Sequence, residues 1–115
     1  MFLKAAALAA LSFFPIAAMA QSGSGSATFF NPGLGACGFT NTDSDFIVAV
    51  SSQIFNSGLC NRQMNVNFQG RNVQVTVVDS CPGCGAGDID LSPAAFSQLA
   101  SLDAGRIQPV QWNIV

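Results

Sequence analysis

The 115-residue chain contains no histidine, no tyrosine and no glutamate, and its single lysine is Lys4. Without histidine, no imidazole can serve as base, proton shuttle or metal ligand. Without glutamate, every carboxylate role falls to six aspartates: Asp43, Asp45, Asp79, Asp88, Asp90 and Asp103. Charge is scarce as well, at 9% of residues with a net −2, which leaves no basic footprint for nucleic acid. A chain this short forms one small domain at most. What is abundant is apolar: 50% of the residues are hydrophobic.

Part of that fraction reads as a leader. Lys4 supplies a short positive region, residues 5–18 are mostly apolar, and Ala18-Met19-Ala20 matches a small-x-small cleavage site. Ser12 and Pro15 interrupt the run, which falls short of the roughly 20 apolar residues of a membrane span. Residues 1–20 are therefore expected to be a signal peptide, and the product secreted and extracellular. No second apolar segment could hold it in a membrane.

Removal of residues 1–20 leaves 95, with Arg62, Arg71 and Arg106 against the six aspartates, a net −3. All four cysteines (Cys37, Cys60, Cys81 and Cys84) lie in this part. An even count in a short secreted chain predicts two disulfides, in any of 3 pairings. A single C-x-x-C without histidine matches structural zinc spacing poorly, so neither metal nor cofactor is expected. Cys81-Pro82-Gly83-Cys84 follows a strand and precedes a Gly-rich turn, which is not the helix N-terminus that thioredoxin-like chemistry uses.

The pattern along the chain is that of strands. Residues 21–26 are Gly/Ser apart from Gln21 and read as a flexible tail over 21–25, with the domain spanning 26–115. Ala27-Thr28-Phe29-Phe30 is β-prone and closes on the turn signal Asn31-Pro32-Gly33. The continuous apolar run from Phe46 to Val50 has the length of a buried strand, and one helical turn is expected over residues 51–56. Met64, Val66 and Phe68 alternate with polar residues; residues 69–72 turn the chain; Val73, Val75 and Val77 alternate again. Two period-2 runs across a Gly-containing turn predict a hairpin with one buried face. Ser92-Pro93 predicts a helix start, with Ser as N-cap and Pro at the first position, and Phe96 and Leu99 on its inner side. Residues 107–115 read as a last alternating strand. The expected fold is all-β, a small barrel.

Two aspartates stand beside special backbone. Asp79 follows the 73–78 strand and precedes Ser80-Cys81-Pro82; Asp90 precedes the helix start. A barrel that brought both loops over one end would give the paired carboxylates of glycoside chemistry, one an acid and one a base or nucleophile. Turn capping is the competing role for Asp79, Asp88 and Asp90. Phe29, Phe30 and Trp112 are candidate platforms for sugar rings, although a domain this small also needs aromatics in its core.

Four motifs in order then carry a resemblance. Ala27-Thr28-Phe29-Phe30, Gly35-Ala36-Cys37-Gly38, Val77-Val78-Asp79-Ser80-Cys81-Pro82, and Asp88-Ile89-Asp90-Leu91-Ser92-Pro93-Ala94-Ala95-Phe96 resemble the RlpA-like double-psi β-barrel, and within it the expansin-like family and its single-domain fungal loosenins. The resemblance covers about residues 26–115. It implies a six-stranded barrel with one or two short helices, a groove carrying Thr28, Asp79 and Asp90, and the pairings Cys37–Cys60 and Cys81–Cys84. The chain departs from expansins in having Phe29-Phe30 where a tyrosine is usual and Asp88-Ile89 where a histidine precedes the second aspartate. The second, immunoglobulin-like carbohydrate-binding domain of full expansins is not expected here.

The resemblance implies a secreted, monomeric protein that binds cell-wall polysaccharide (cellulose, chitin or a related glucan) and loosens it without hydrolysis. Thr28, Phe29, Phe30, Asp79, Asp90 and Trp112 would make the contacts. One alternative is a barwin-like endoglucanase or lytic transglycosylase, with Asp90 as acid and Asp79 the only base. Another is a secreted protease inhibitor or effector-type module, with residues 31–45 as the exposed loop.

Overall fold

A computed structural model describes residues 21–115; the expected signal peptide, residues 1–20, lies outside the described residues. Among the described residues six strands form: β1 (Ser22–Phe29), β2 (Ile47–Ser51), β3 (Gln63–Phe68), β4 (Arg71–Cys81), β5 (Ile89–Leu91) and β6 (Ile107–Ile114). They close into a barrel in the order β1-β5-β2-β4-β3-β6. The pairs β1/β5 and β2/β4 are parallel, and the other four are antiparallel. One short helix, α1 (Pro93–Ser97), and two 3-10 turns, Ser57–Leu59 and Leu102–Ala104, complete the domain.

The hairpin forms as its alternation predicts. Met64, Val66, Val73, Val75 and Val77 all point into the core, while Asn65 and Gln74 face solvent. The turn is tighter than the expected residues 69–72, because Phe68 pairs with Arg71 and leaves Gln69-Gly70 alone at the tip. Their φ values of 50° and 84° are both positive. Such a two-residue loop matches the right-handed twist of its strands.

The Gly/Ser segment is not a tail. It is the first half of β1, with Ser22 opposite Asn113, Gly23 opposite Trp112 and Gly25 opposite Val110. Packing explains the glycines. A Cβ at Gly23 would lie 2.5 Å from Trp112 Cζ2, and one at Gly25 would lie 2.5 Å from the Gly87 carbonyl oxygen. A composition that resembles a linker is here a requirement for close approach.

Helix α1 starts as expected. Ser92 is fully buried, its Oγ accepts from the Ala95 N–H at 3.2 Å, and Pro93 occupies the first turn. Ser92 Oγ also donates to the Asp45 carbonyl, which ties the helix start to the loop before β2. Phe96 and Leu99 are both buried, and the Phe96 ring stands 5.0 Å from that of Phe29 at 58°. Ile54 and Phe55 both donate to the Ser51 carbonyl, which makes the helical turn expected there.

The cysteines form Cys37–Cys60 and Cys81–Cys84, as the resemblance implies. Their sequence separations are 23 and 3. On chain entropy alone the longer closure contributes about 3 kcal/mol and the shorter about 2.

Candidate functional site

Register builds the site. Ala27 and Phe29 of β1, Ile89 and Leu91 of β5, and Val48 and Val50 of β2 all point inward. The residues between them, Thr28, Asp90 and Ala49, therefore share the outer face. Thr28 pairs with Asp90, Asp90 with Ala49, and Ala49 with Asp79, so the four stand side by side across four strands. Asp79 lies within β4 rather than after it, because the parallel pairing with β2 carries that strand on to Cys81. A bulge at Val78 puts Asp79, not Val78, opposite Ala49. Two strand spacings separate the Asp79 and Asp90 backbones, roughly 10 Å.

The two carboxylates differ in their surroundings. Asp90 Oδ1 accepts from Thr28 Oγ1 at 2.9 Å. Burial pushes the Asp90 carboxyl above the usual carboxylate range; the Thr28 hydroxyl and the positive Arg106 oppose that rise, and Asp79 adds to it. Asp79 Oδ1 instead accepts two backbone N–H bonds, from Ala36 and Ser80, both at 2.8 Å. Through Ala36 it pins the loop that follows β1 onto the barrel.

The third conspicuous carboxylate is structural. Asp88 takes the Ser26 N–H at 2.8 Å and the Gly85 N–H at 3.1 Å. The Ser26 bond is the main reason its carboxyl lies below the usual range. This is the turn-capping role foreseen for such residues.

Two expected aromatic platforms are corrected. Trp112 is 4% exposed, faces the core, and donates its indole N–H to the Gly87 carbonyl at 2.9 Å. Phe29 turns inward onto Phe96. Strand alternation decides both, since each occupies the inward phase of its strand. Phe30 is half-buried just beyond β1, with its N–H donated to the Leu91 carbonyl.

Other large apolar side chains stand exposed outside the expected set. Phe39 and Phe46 are each 43% exposed, and Leu34 is 75% exposed. All three belong to the long connection between β1 and β2. The apolar run over residues 46–50 made Phe46 look like strand core, but β2 begins at Ile47. Phe39, a large aromatic in a Gly/Asn/Thr-rich stretch without a sustained apolar period, carries the one readable signal. The two phenylalanines, with Asn41, Asp45, Asn61 and Thr76, line an open pocket of about 410 Å³.

Among the described residues, no cluster of three or more aspartates or cysteines could hold a metal ion. No described helix is long and apolar enough to cross a membrane.

Fold and site together define a class: a small closed barrel with parallel and antiparallel pairs, stapled by two disulfides, with an acid-bearing row across its outer face. The family model described as lytic transglycolase matches residues 22–112, and the chain belongs to this double-psi β-barrel family. It is 36% identical to a papain inhibitor from Streptomyces mobaraensis over 104 residues, which covers 83% of this chain and 73% of that protein. It is 38% identical to an EG45-like domain containing protein from Citrus jambhiri, covering 85% and 86% of the two chains. Among solved structures it is similar to a Clavibacter michiganensis expansin mutant in complex with cellohexaose, with a TM-score of 0.74 and 30% identity, covering 83% of this chain and 50% of that one. A structure of a Streptomyces papain inhibitor matches with a TM-score of 0.77 and 35% identity, covering 83% and 94%.

Proposed function

We propose that the chain is a secreted, expansin-like protein that binds cell-wall polysaccharide and loosens it without cutting a bond. The observation that carries this reading is the outward row of Thr28, Asp90 and Asp79. A hydroxyl and a partly desolvated carboxyl side by side can exchange hydrogen bonds with sugar hydroxyls. The small Ala49 between the two carboxylates leaves room for a chain lying across the strands. Binding there would replace contacts between neighbouring polysaccharide chains. The expansin solved with cellohexaose supports a saccharide as the ligand.

Asp79 counts against two-carboxylate hydrolysis. Two-carboxylate hydrolysis needs a base or nucleophile opposite the acid. Asp79 is the only other carboxylate in the row, and its Oδ1 is already held by two backbone N–H groups. No histidine is available to replace it. Incubation with cellulose, chitin and peptidoglycan, with bound protein and new chain ends measured in the same tubes, tests the proposal. The expected result is retention on the polysaccharide with no new ends. New ends that disappear in Asp90→Asn would replace this reading with a lytic one.

A second reading rests on the loop. Residues 33–41 are held by a Leu34/Thr40 bridge, by the Gly35 N–H on the Phe39 carbonyl, and by Cys37–Cys60, with Leu34 outermost. A preorganised loop that presents an apolar side chain suits inhibition of a papain-like protease, and the papain inhibitor relatives support it. Titration of papain decides it: stoichiometric inhibition, lost in Leu34→Asp, would establish this reading, and full protease activity at micromolar protein would remove it.

A further inference from the structure

We infer that the pocket under the β1–β2 loop is a second saccharide subsite, which takes a single neutral pyranose ring; this rests on the polysaccharide reading above. The pocket is separate from the Thr28–Asp90 row. The segment Gly35-Ala36-Cys37 runs between them, with the Ala36 N–H on Asp79 and the Cys37 N–H on the Val78 carbonyl at 3.1 Å. Its floor is the outer face of Ile47 and Val78, and its walls carry the half-exposed rings of Phe39 and Phe46. The volume of about 410 Å³ is of small-molecule size.

The lining selects the chemistry by exclusion. Asn41, Asp45, Asn61 and Thr76 make half of the wall polar, which disfavours a lipid or a purely apolar ligand. No arginine or lysine lines it, and Asp45 is ionised. The Thr42 N–H first, and then the Asn41 amide, hold its carboxyl below the usual range. An anionic ligand, whether phosphate, sulfate or uronate, would meet that charge unpaired. A lone carboxylate is also too few ligands for a metal ion. An extended peptide would look for an open strand edge, but β4 is already paired on both sides, to β2 and β3.

What fits is a molecule with one apolar C–H face and a rim of neutral hydroxyls. The C–H face lies on Phe39 and Phe46. The hydroxyls donate to Asp45 and Asn61 and accept from Thr76.

Cellobiose and chitobiose are the probes, and backbone amide NMR shifts are the readout, in wild type, Phe46→Ala and Asp90→Asn. Phe46 is half-exposed, so its truncation leaves the barrel intact, and an unchanged spectrum outside the loop checks this. The expected result is that one disaccharide shifts the Phe39, Phe46, Asn61 and Thr76 amides. Those shifts persist in Asp90→Asn, and Phe46→Ala weakens that binding about tenfold. Shifts confined to the Thr28 and Asp90 amides would overturn the pocket and leave the polysaccharide reading standing. Pocket shifts without shifts in the row would support the subsite and count against the row. No shifts at either place with either sugar would remove both.

Discussion

The barrel face and the β1–β2 loop solve the same problem, holding polar groups in place, by different means. On the face, Thr28, Ala49, Asp79 and Asp90 are aligned by ladder register, so their spacing follows from backbone pairing. In the loop, residues 33–45 have one isolated bridge and are held by a disulfide, by side chain to backbone bonds and by Asp79 beneath them. A ladder positions groups without needing particular side chains. A loop depends on a few named residues, each of which can be removed. Asp79 belongs to both regions: its Oδ1 takes the Ser80 N–H of its own strand and the Ala36 N–H of the loop.

Substitutions can separate the two regions. The largest effect is expected from Cys37→Ser with Cys60→Ser, which removes about 3 kcal/mol of cross-link stabilisation. Denaturant unfolding measures the loss, while amide exchange should speed up over residues 33–45 and stay slow in β2 and β4. Next comes Asp79→Ala, which releases the Ala36 and Ser80 N–H groups to water and should cost about 0.5–1.5 kcal/mol for each bond lost. Asp79→Asn keeps an acceptor oxygen and should cost less. Equal losses for the two variants would show that Asp79 acts through its charge rather than as an acceptor. Thr28→Val is smaller still, about 0.5–1.5 kcal/mol for one hydrogen bond. It removes the bond that opposes the rise at Asp90, so the Asp90 titration followed by carbon NMR should move to higher pH.

The pH dependence of stability has opposite signs in two groups of carboxylates. Asp88 and Asp45 have folded pKa values below the ordinary 3.8. Their contribution is present above that value and is lost as pH falls through the folded ones. Asp90 is shifted the other way, so its burial opposes folding when it is ionised and ceases to do so as pH falls through its raised value. Denaturation midpoints measured from neutral pH down through the carboxylate range should fall less steeply for Asp88→Asn than for wild type.

How much of this was readable beforehand depended on whether one local rule sufficed. The hairpin and the Ser92-Pro93 helix start follow from alternation and from capping, each decided within a few residues. Two disulfides follow from the cysteine count, and Asp79 and Asp90 from the backbone beside them, but the disulfide pairing and the place of Thr28 rest on motif resemblance, because residues 62 positions apart, as Thr28 and Asp90 are, meet only through topology. The Gly/Ser strand looks like a tail in the sequence because composition cannot distinguish a glycine that gives freedom from one that makes room for Trp112. Trp112 itself looks like a sugar platform in the sequence because an aromatic's chemistry is the same on either face of a strand. The Phe39/Phe46 pocket has a lone aromatic in a polar stretch as its one sign in the sequence, since a loop folded back over a strand has no period.

Asp90→Asn tests the central claim most directly, through two measurements on one protein: thermal midpoint at neutral pH and affinity for insoluble polysaccharide. The side-chain amide keeps an oxygen for the Thr28 hydroxyl and removes the partly desolvated charge. Opposite signs are expected, a higher midpoint and weaker retention on the polysaccharide. A variant that binds as well as wild type would contradict that claim, whatever its stability.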